Sequence, residues 1–477
     1  MKRWFNKVRG FLLLCCVCTC PHYLFSEIGN ITQILQAKAH CPIILRADDF
    51  GSSGIIIDQP GYYKLCDNVE FASGSVTAIS VQSPYVIIDM NTKAIYGAGL
   101  SIGIDIADSI HDVVIKGGTI SEFSLYGIYV DENCYKVFLD SINLNDASCT
   151  SAIVFNGTSG NPVHECAISY CKINEIMADV VIDVDYCSDI EIIGSSFNKN
   201  VGSTNLRLVD VDSSEKCRFL KCHFNDNAAD GLGELNCIEA ATVSSFVFEH
   251  CTFNNNAMAD GELRGIYLNG SNGSLIKECI FANNQSSSAT QGSTGLCSAI
   301  DDLNGEGNKI VACIITNNAT TTNLTSTDAE IYGIRVTGAY VQNCYIEQCY
   351  VTKNNATASG ATSDATSYGI FFDAGLYHYL SDCTMLAHRA AATGTASGVG
   401  IYNNSLYSTM RQNTSSGNLT YGIYNALDTI IVSCRTGYNG TNYGGIASVL
   451  PNSTDVVKLG DNITKVERFE NLNISVN

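Results

Sequence analysis

Between Val113 and Asn439 one short cassette recurs twelve times: an apolar residue, two variable residues, a small residue, one variable residue, then usually an apolar residue. Its copies open at Ile115, Leu139, Ile168, Ile192, Phe219, Phe248, Ile276, Ile310, Ile346, Leu380, Met410 and Ile431, at intervals of 21 to 36 residues. A second cassette, Gly-Ile-Tyr in its clearest copies, keeps the same period. It is centred on Ile104, Ile128, Ile153, Ile182, Ile238, Ile266, Ile300, Ile334, Ile370, Ile401, Ile423 and Ile446, with an upstream copy at Ile79 and a degenerate one near Leu208. A period of this size, with apolar residues alternating inside each unit, specifies a solenoid in which each unit is buried only by its neighbours.

Each unit divides into the same parts. A strand around the repeat Ile alternates inward and outward, a second strand follows about ten residues on, and after a polar two-residue corner such as Lys277-Glu278 comes a third. Eight cysteines (Cys171, Cys222, Cys251, Cys279, Cys313, Cys349, Cys383, Cys434) share the fourth position of the first cassette. Residues at one slot of a solenoid stack about one strand spacing apart, ~4.8 Å. Cysteine is a small, readily buried hydrophobe, so the expected arrangement is an inward file of mostly free thiols. Disulfides are the alternative, since that spacing is within their reach. Asn recurs in eight units, at Asn200, Asn227, Asn256, Asn284, Asn318, Asn354, Asn418 and Asn439, where its amide can bond the same residue one coil above and below. Stacked slots of this kind require parallel pairing between coils.

In these features residues 61 to 450 resemble the right-handed parallel β-helix repeat proteins of the pectin-lyase-like superfamily. Four third strands end Phe-x-x-Asn (Phe197 to Asn200, Phe224 to Asn227, Phe253 to Asn256, Phe281 to Asn284), which is similar to the repeat of the polymorphic outer-membrane adhesins of chlamydiae. That family's companion Gly-Gly-Ala-Ile motif is absent, Gly444-Gly-Ile446 being nearest, and no membrane-barrel pattern follows. The resemblance implies an all-β fold, a single right-handed parallel β-helix of about fourteen coils.

Residues 1 to 26 read as a secretory signal: a basic start with Lys2, Arg3, Lys7 and Arg9, then the apolar run Gly10 to Cys20, too short to span a bilayer. A lipoprotein signal ending at Cys20 is the alternative. Residues 27 to 60 form an N-terminal cap, with a short helix expected over Asn30 to Ala39, and residues 451 to 477 a polar cap or tail. Without the four basic residues of the signal, 23 Lys and Arg face 47 Asp and Glu, a net charge of −24. Such a chain repels nucleic acid, anionic membranes and, unless a divalent cation bridges the two, acidic polysaccharides. The expected setting is secreted or cell-surface, with a polysaccharide or a host surface component as partner.

The outward position beside the repeat Ile carries the candidate chemistry: Asp105, Tyr129, Val154, Asp183, Glu239, Tyr267, Asp301, Arg335, Phe371, Tyr402 and Tyr424. Alignment on the next strand puts Asp210 beside Asp183 and Asp212 beside Asp185, so five carboxylates gather on three coils. Like charges this close raise one another's pKa or recruit a cation, and an all-oxygen set suits calcium, with Asp183, Asp185, Asp210 and Asp212 as its ligands. A carboxylate pair also suits glycoside hydrolysis; a solvated acidic stripe needs no ligand at all. The aromatics of the column offer ring faces to sugars. Inserts at Gln285 to Ser298, Ala319 to Glu330, Ala356 to Ser367 and Ala390 to Ser397 leave from one point of the unit and read as flexible loops on one side. Asp301-Asp302 is an isolated pair without the His and Arg-x-Lys segments of polygalacturonases. Fifteen Asn-x-Ser/Thr sequons occur. Three functions stay open: a non-catalytic glycan or host-component binder, a polysaccharide lyase or hydrolase with an acidic site, and a structural envelope or spike-like protein.

Overall fold

A computed structural model describes residues 42–445 except 73, 289, 291–293, 324–326, 426–428 and 433, together with the strands Val457–Leu459 and Ile474–Val476. The signal segment, the helical stretch Asn30 to Ala39 and most of the tail after Pro451 lie outside the described residues. Strand pairs with strand in parallel, coil upon coil, in a single right-handed β-helix. The stack begins upstream of Gly61, with Ile43–Leu45 against Gly61–Leu65.

The repeat Ile sets the register. One ladder, here the Ile sheet, runs Ile55, Ile79, Ile104, Ile128, Ile153, Ile182, Val209, Ile238, Ile266, Ile300, Ile334, Ile370, Ile401, Ile423, Tyr443. Val209, rather than Leu208, fills the degenerate unit. Tyr443 stands opposite Ile423, where the sequence pointed to Ile446; the strand supplying the last rung starts three residues early. From Ile79 to Ile423 every residue of this ladder is at most 1% exposed. The first cassette builds the second sheet, from Ile192 through Phe219, Phe248 and Ile276 onward. The third holds the Phe-x-x-Asn strands, whose rings stack at 4.6, 4.9 and 4.5 Å from Phe197 to Phe281. The corner between second and third sheets turns on a left-handed residue, such as Lys221 (φ 54°), His250 (φ 57°) or Glu278 (φ 53°).

The two slot columns lie inside. All eight slot cysteines are buried, and all seventeen cysteines of the described residues are free thiols. Gly118, Ile142, Ser195 and Asn413 take the slot where cysteine is missing. From Asn200 to Asn318 each Asn of the other column donates its amide to the next: Asn200 to Asn227 (3.0 Å), Asn227 to Asn256 (2.9 Å), Asn256 to Asn284 (3.0 Å), Asn284 to Asn318 (3.0 Å) and Asn318 to Asn354 (3.4 Å). The same amides reach carbonyls of the coil below, as Asn256 does at Phe224 (3.0 Å). Buried corner backbone is thereby satisfied by side chains. His388 replaces Asn in one coil, its Nε2 meets the Val351 carbonyl (3.2 Å), and the amide nitrogen of Asn354 below it has no partner among the described residues; the His388 backbone N–H still donates to Asn418 Oδ1 (3.1 Å).

The inserts differ from expectation. Instead of flexible loops they form a fourth parallel ladder, Gln285–Ser288, Ala319–Thr322, Asn355–Ala358 and Arg389–Ala392, paired residue by residue. Four successive inserts leave at one point, so each strand finds its backbone partners in the next. Once paired, small and β-branched residues such as Thr320 and Thr322 pack inward.

Candidate functional site

The Gly of the Gly-Ile-Tyr cassette explains the outer face of the Ile sheet. A Cβ on Gly265 would lie 2.5 Å from the Ala299 carbonyl and 2.7 Å from the Phe281 ring; one on Gly333 would lie 2.4 Å from the Gly369 carbonyl. Two successive residues face inward at this point, Gly-Ile in these copies and Val181-Ile182, Leu208-Val209 and Cys237-Ile238 on the acidic coils, so the side chains on either side come out on one face. Tyr126 and Tyr129 stack at 5.0 Å, Arg207 reaches Asp210, and Arg264 lies 4.5 Å over Tyr267. Each strand therefore offers two neighbouring outward columns instead of one.

The register brings the predicted carboxylates together. Asp183 pairs with Asp210 and Asp185 with Asp212, and Glu239 follows Asp210. Sequence reasoning missed Arg207, in the second column. Its guanidinium bonds Asp210 (2.9 Å) and Glu239 (2.7 Å), and Asn236 donates to Glu239 (2.9 Å) and Glu234 (3.0 Å). Asp183, Asp185 and Asp212 have no ion pair among the described residues. Burial, then the neighbouring Asp185 and Asp210, pushes Asp183 up to about 6. Burial also raises Asp185, Asp210 and Glu239, in the last two against the pull of Arg207.

Asp301 belongs to the same column but to a different environment. It is 2% exposed, between Arg264 Nε (3.2 Å) and Arg335 Nη1 (3.4 Å), where a solvent-facing carboxylate was expected. Arg264 also contacts Glu262 and reaches Glu234 (2.9 Å). Glu234, Glu262, Arg264, Asp301 and Arg335 form one network, joined through Asn236 to Glu239 and Arg207, and Tyr267 lies beneath the Arg264 guanidinium. The available signal was Arg264-Gly-Ile, with Arg where other copies read Tyr-Gly-Ile. Asp302 points inward, fully buried, with Asn308 donating to both of its oxygens (3.0 and 3.1 Å). The Asp-Asp pair is split between two environments and cannot act as one site.

The aromatic column also departs from expectation. Phe371 stacks on Tyr402 at 4.8 Å and Tyr402 on Tyr424 at 5.1 Å, while Tyr332 stacks on Tyr368 at 5.3 Å. Coil-to-coil spacing suits ring-on-ring contact, so the faces cover one another and the column presents edges and hydroxyls. Among the described residues no group of three or more His, Cys, Asp or Glu side chains is arranged to hold a metal ion. The four aspartates line a sheet face rather than closing round a point, so a cation there must draw them together. Five sequon asparagines, Asn284, Asn318, Asn403, Asn413 and Asn418, are buried, and their occurrence reflects interior slots followed by turns. No helix among the described residues is long and apolar enough to cross a membrane.

The family model for the right-handed β-helix region matches residues 102–259 and 209–373, more than half of the 477 residues. The chain belongs to the right-handed β-helix family. No curated protein matches it. Among solved structures, the right-handed β-helix is similar to the periplasmic alginate epimerase AlgG, with 12% identity, TM-score 0.37, and coverage of 84% of this chain and 76% of that one. It is similar to the mannuronan C-5 epimerase A-module of Azotobacter vinelandii (14%, TM-score 0.31, 86% and 98%). It is also similar to a surface adhesin of Streptococcus pneumoniae (11%, TM-score 0.34, 80% and 89%). At these scores no activity passes from those proteins to this one.

Proposed function

We propose that this β-helix protein is an exported or surface protein that binds a hydroxyl-rich glycan along the outer Ile sheet, at Asp183, Asp185, Asp210, Asp212 and Glu239, without changing it covalently. The observation that carries the reading is the surplus of acceptors there. Arg207, the one cation of this stretch, is already shared by Asp210 and Glu239, and three carboxylates are left to accept hydrogen bonds from hydroxyls or to share a bridging calcium. Tyr267 and Asp301, bound up with Arg264, are the rim of this surface and hold its shape.

The test is retention of the full chain on a panel of immobilised neutral, amino and acidic polysaccharides, with calcium and with chelator. The double variant Asp183→Asn, Asp210→Asn should lose retention and any calcium-dependent rise in melting temperature. Unchanged retention in that variant would refute the reading. A second reading rests on one observation, the raised Asp183 beside Asp210, a pattern that suits a proton donor next to an ionised carboxylate in glycoside hydrolysis. Chain cleavage on the same panel, abolished in Asp183→Asn, would favour it.

A further inference from the structure

We propose that the interior file of six consecutive thiols, Cys222, Cys251, Cys279, Cys313, Cys349 and Cys383, is a receptacle for soft, two-coordinate cations of the silver(I) and copper(I) class, one between each adjacent pair of sulfurs. The flanking strands put these residues in direct register on six successive coils. All six are at most 1% exposed and none is bridged. Ser195 closes the file at one end and Asn413 at the other, so Cys171 and Cys434 are excluded from it.

The coil repeat decides the chemistry. In-register parallel strands hold equivalent Cβ atoms ~4.8 Å apart. A disulfide needs its Cβ atoms at about 3.5–4.5 Å and its sulfurs at about 2.05 Å, so the coils would have to close up to form one. Zinc–thiolate bonds are about 2.3 Å, and two metal–thiolate bonds of about that length in line span about 4.6 Å, close to the repeat itself. The spacing that hinders a disulfide is the length of a linear S–metal–S unit. Harder metals needing three or more converging ligands find no such group among the described residues.

The charge balances without an oxidant. Five monovalent cations entering between six thiols displace five protons, leaving one S–H and no net charge in the apolar interior. Burial holds the Cys222 thiol protonated, well above its ordinary range, so the metal–sulfur bonds must outcompete the protons, as soft cations do with thiols.

Silver(I) is the probe, being redox-inert. It is offered to the reduced full-length chain, both folded and during refolding, and weakly held ions are stripped by gel filtration with a small thiol. The folded wild type should retain five silver ions in the file. Cys279→Ser with Cys313→Ser leaves only the pairs 222–251 and 349–383 and should retain two, while Cys134→Ser with Cys166→Ser, outside the file, should lose none of the five. X-ray absorption on the wild type should find two sulfurs and no further ligand in the first shell of silver, and it decides the matter if the double variant fails to fold. Equal retention by wild type and the Cys279/Cys313 variant, no silver on refolded wild type, or three or more ligands per ion would each overturn the proposal.

Discussion

Replacing Asn256 by Ala tests whether the amide ladder, rather than apolar filling alone, holds the corners of the helix. Asn256 Oδ1 accepts from the Asn227 backbone N–H (3.2 Å) and from Asn227 Nδ2 (2.9 Å), and its own Nδ2 donates to Phe224 O (3.0 Å) and Asn284 Oδ1 (3.0 Å). Asn227 Nδ2 keeps Phe197 O, and Asn284 Oδ1 keeps the residue-256 backbone N–H. One group loses its side-chain partner with nothing to replace it, the Asn227 N–H; the Phe224 carbonyl stays in the strand ladder opposite Phe253. At ~1–3 kcal/mol for a buried polar group left unmade, with the lost amide bonds added, the cost is roughly 2–3 kcal/mol. The control is the neighbouring Asn255, a left-handed corner residue (φ 56°) exposed to solvent, whose amide makes one bond, to Asp226 (3.2 Å). Its replacement by Ala should cost roughly 1 kcal/mol, from the left-handed backbone and one exposed bond. Guanidinium unfolding of both variants, followed by far-ultraviolet circular dichroism, gives the comparison. If the two differ by less than ~0.5 kcal/mol, the ladder carries none of the stability assigned to it.

Two buried ionisable groups should set opposite limits of stability with pH. Burial lowers His388 to about 4 from an ordinary 6.5, with only the Val351 carbonyl bond opposing, so its contribution is complete above pH 6.5 and is lost as pH falls toward 4. His388→Asn, which restores the residue found at Asn354 and Asn418, should remove that acid-side loss; an unchanged acid transition in melting scans would refute it. Burial raises Asp302 to about 7 from 3.8, with Asn308 opposing, so the acid is neutral and unstrained at low pH and stability is lost as pH rises from about 4 to 7. Asp302→Asn should leave stability at pH 4 nearly unchanged and raise it at pH 8 by on the order of 2–4 kcal/mol; a variant no more stable at pH 8 than the wild type would contradict the assignment.

Much of the fold could be read from the chain because the cassettes lock the register. Once Ile182, Val209 and Ile238 occupy one ladder, Asp183, Asp210 and Glu239 must follow on the next rung face, and cysteines and asparagines at fixed offsets must stack inside. The contacts that escaped notice depend on backbone detail or on neighbours far along the sequence. Arg207 and Asp210 meet because Leu208 and Val209 both face inward between them, which strict alternation does not anticipate. The insert strands read as loops in the sequence because runs of Ala, Ser and Gly carry little strand preference of their own, and each strand exists only through pairing with its copies on the next coils.

Asp183 and Asp301 show where slot reasoning ends and local chemistry begins. They occupy the same position of the same cassette, and in both cases the backbone sends the side chain outward. Asp183 lies between Val154 and Asp210, so burial and a like charge leave it a carboxyl without an ion pair. Asp301 lies between Tyr267 and Arg335, with Arg264 reaching across from the second column, and becomes the buried centre of an ion-pair network. The slot determines direction; the coils above and below determine charge. An ion pair between such coils is closed to a ligand because breaking it would strand a buried charge, at a cost of several kcal/mol. Asp183, Asp185 and Asp212, which have no ion pair among the described residues, carry no such barrier, which makes them, and not the Asp301 network, the place for a ligand to supply the missing partner.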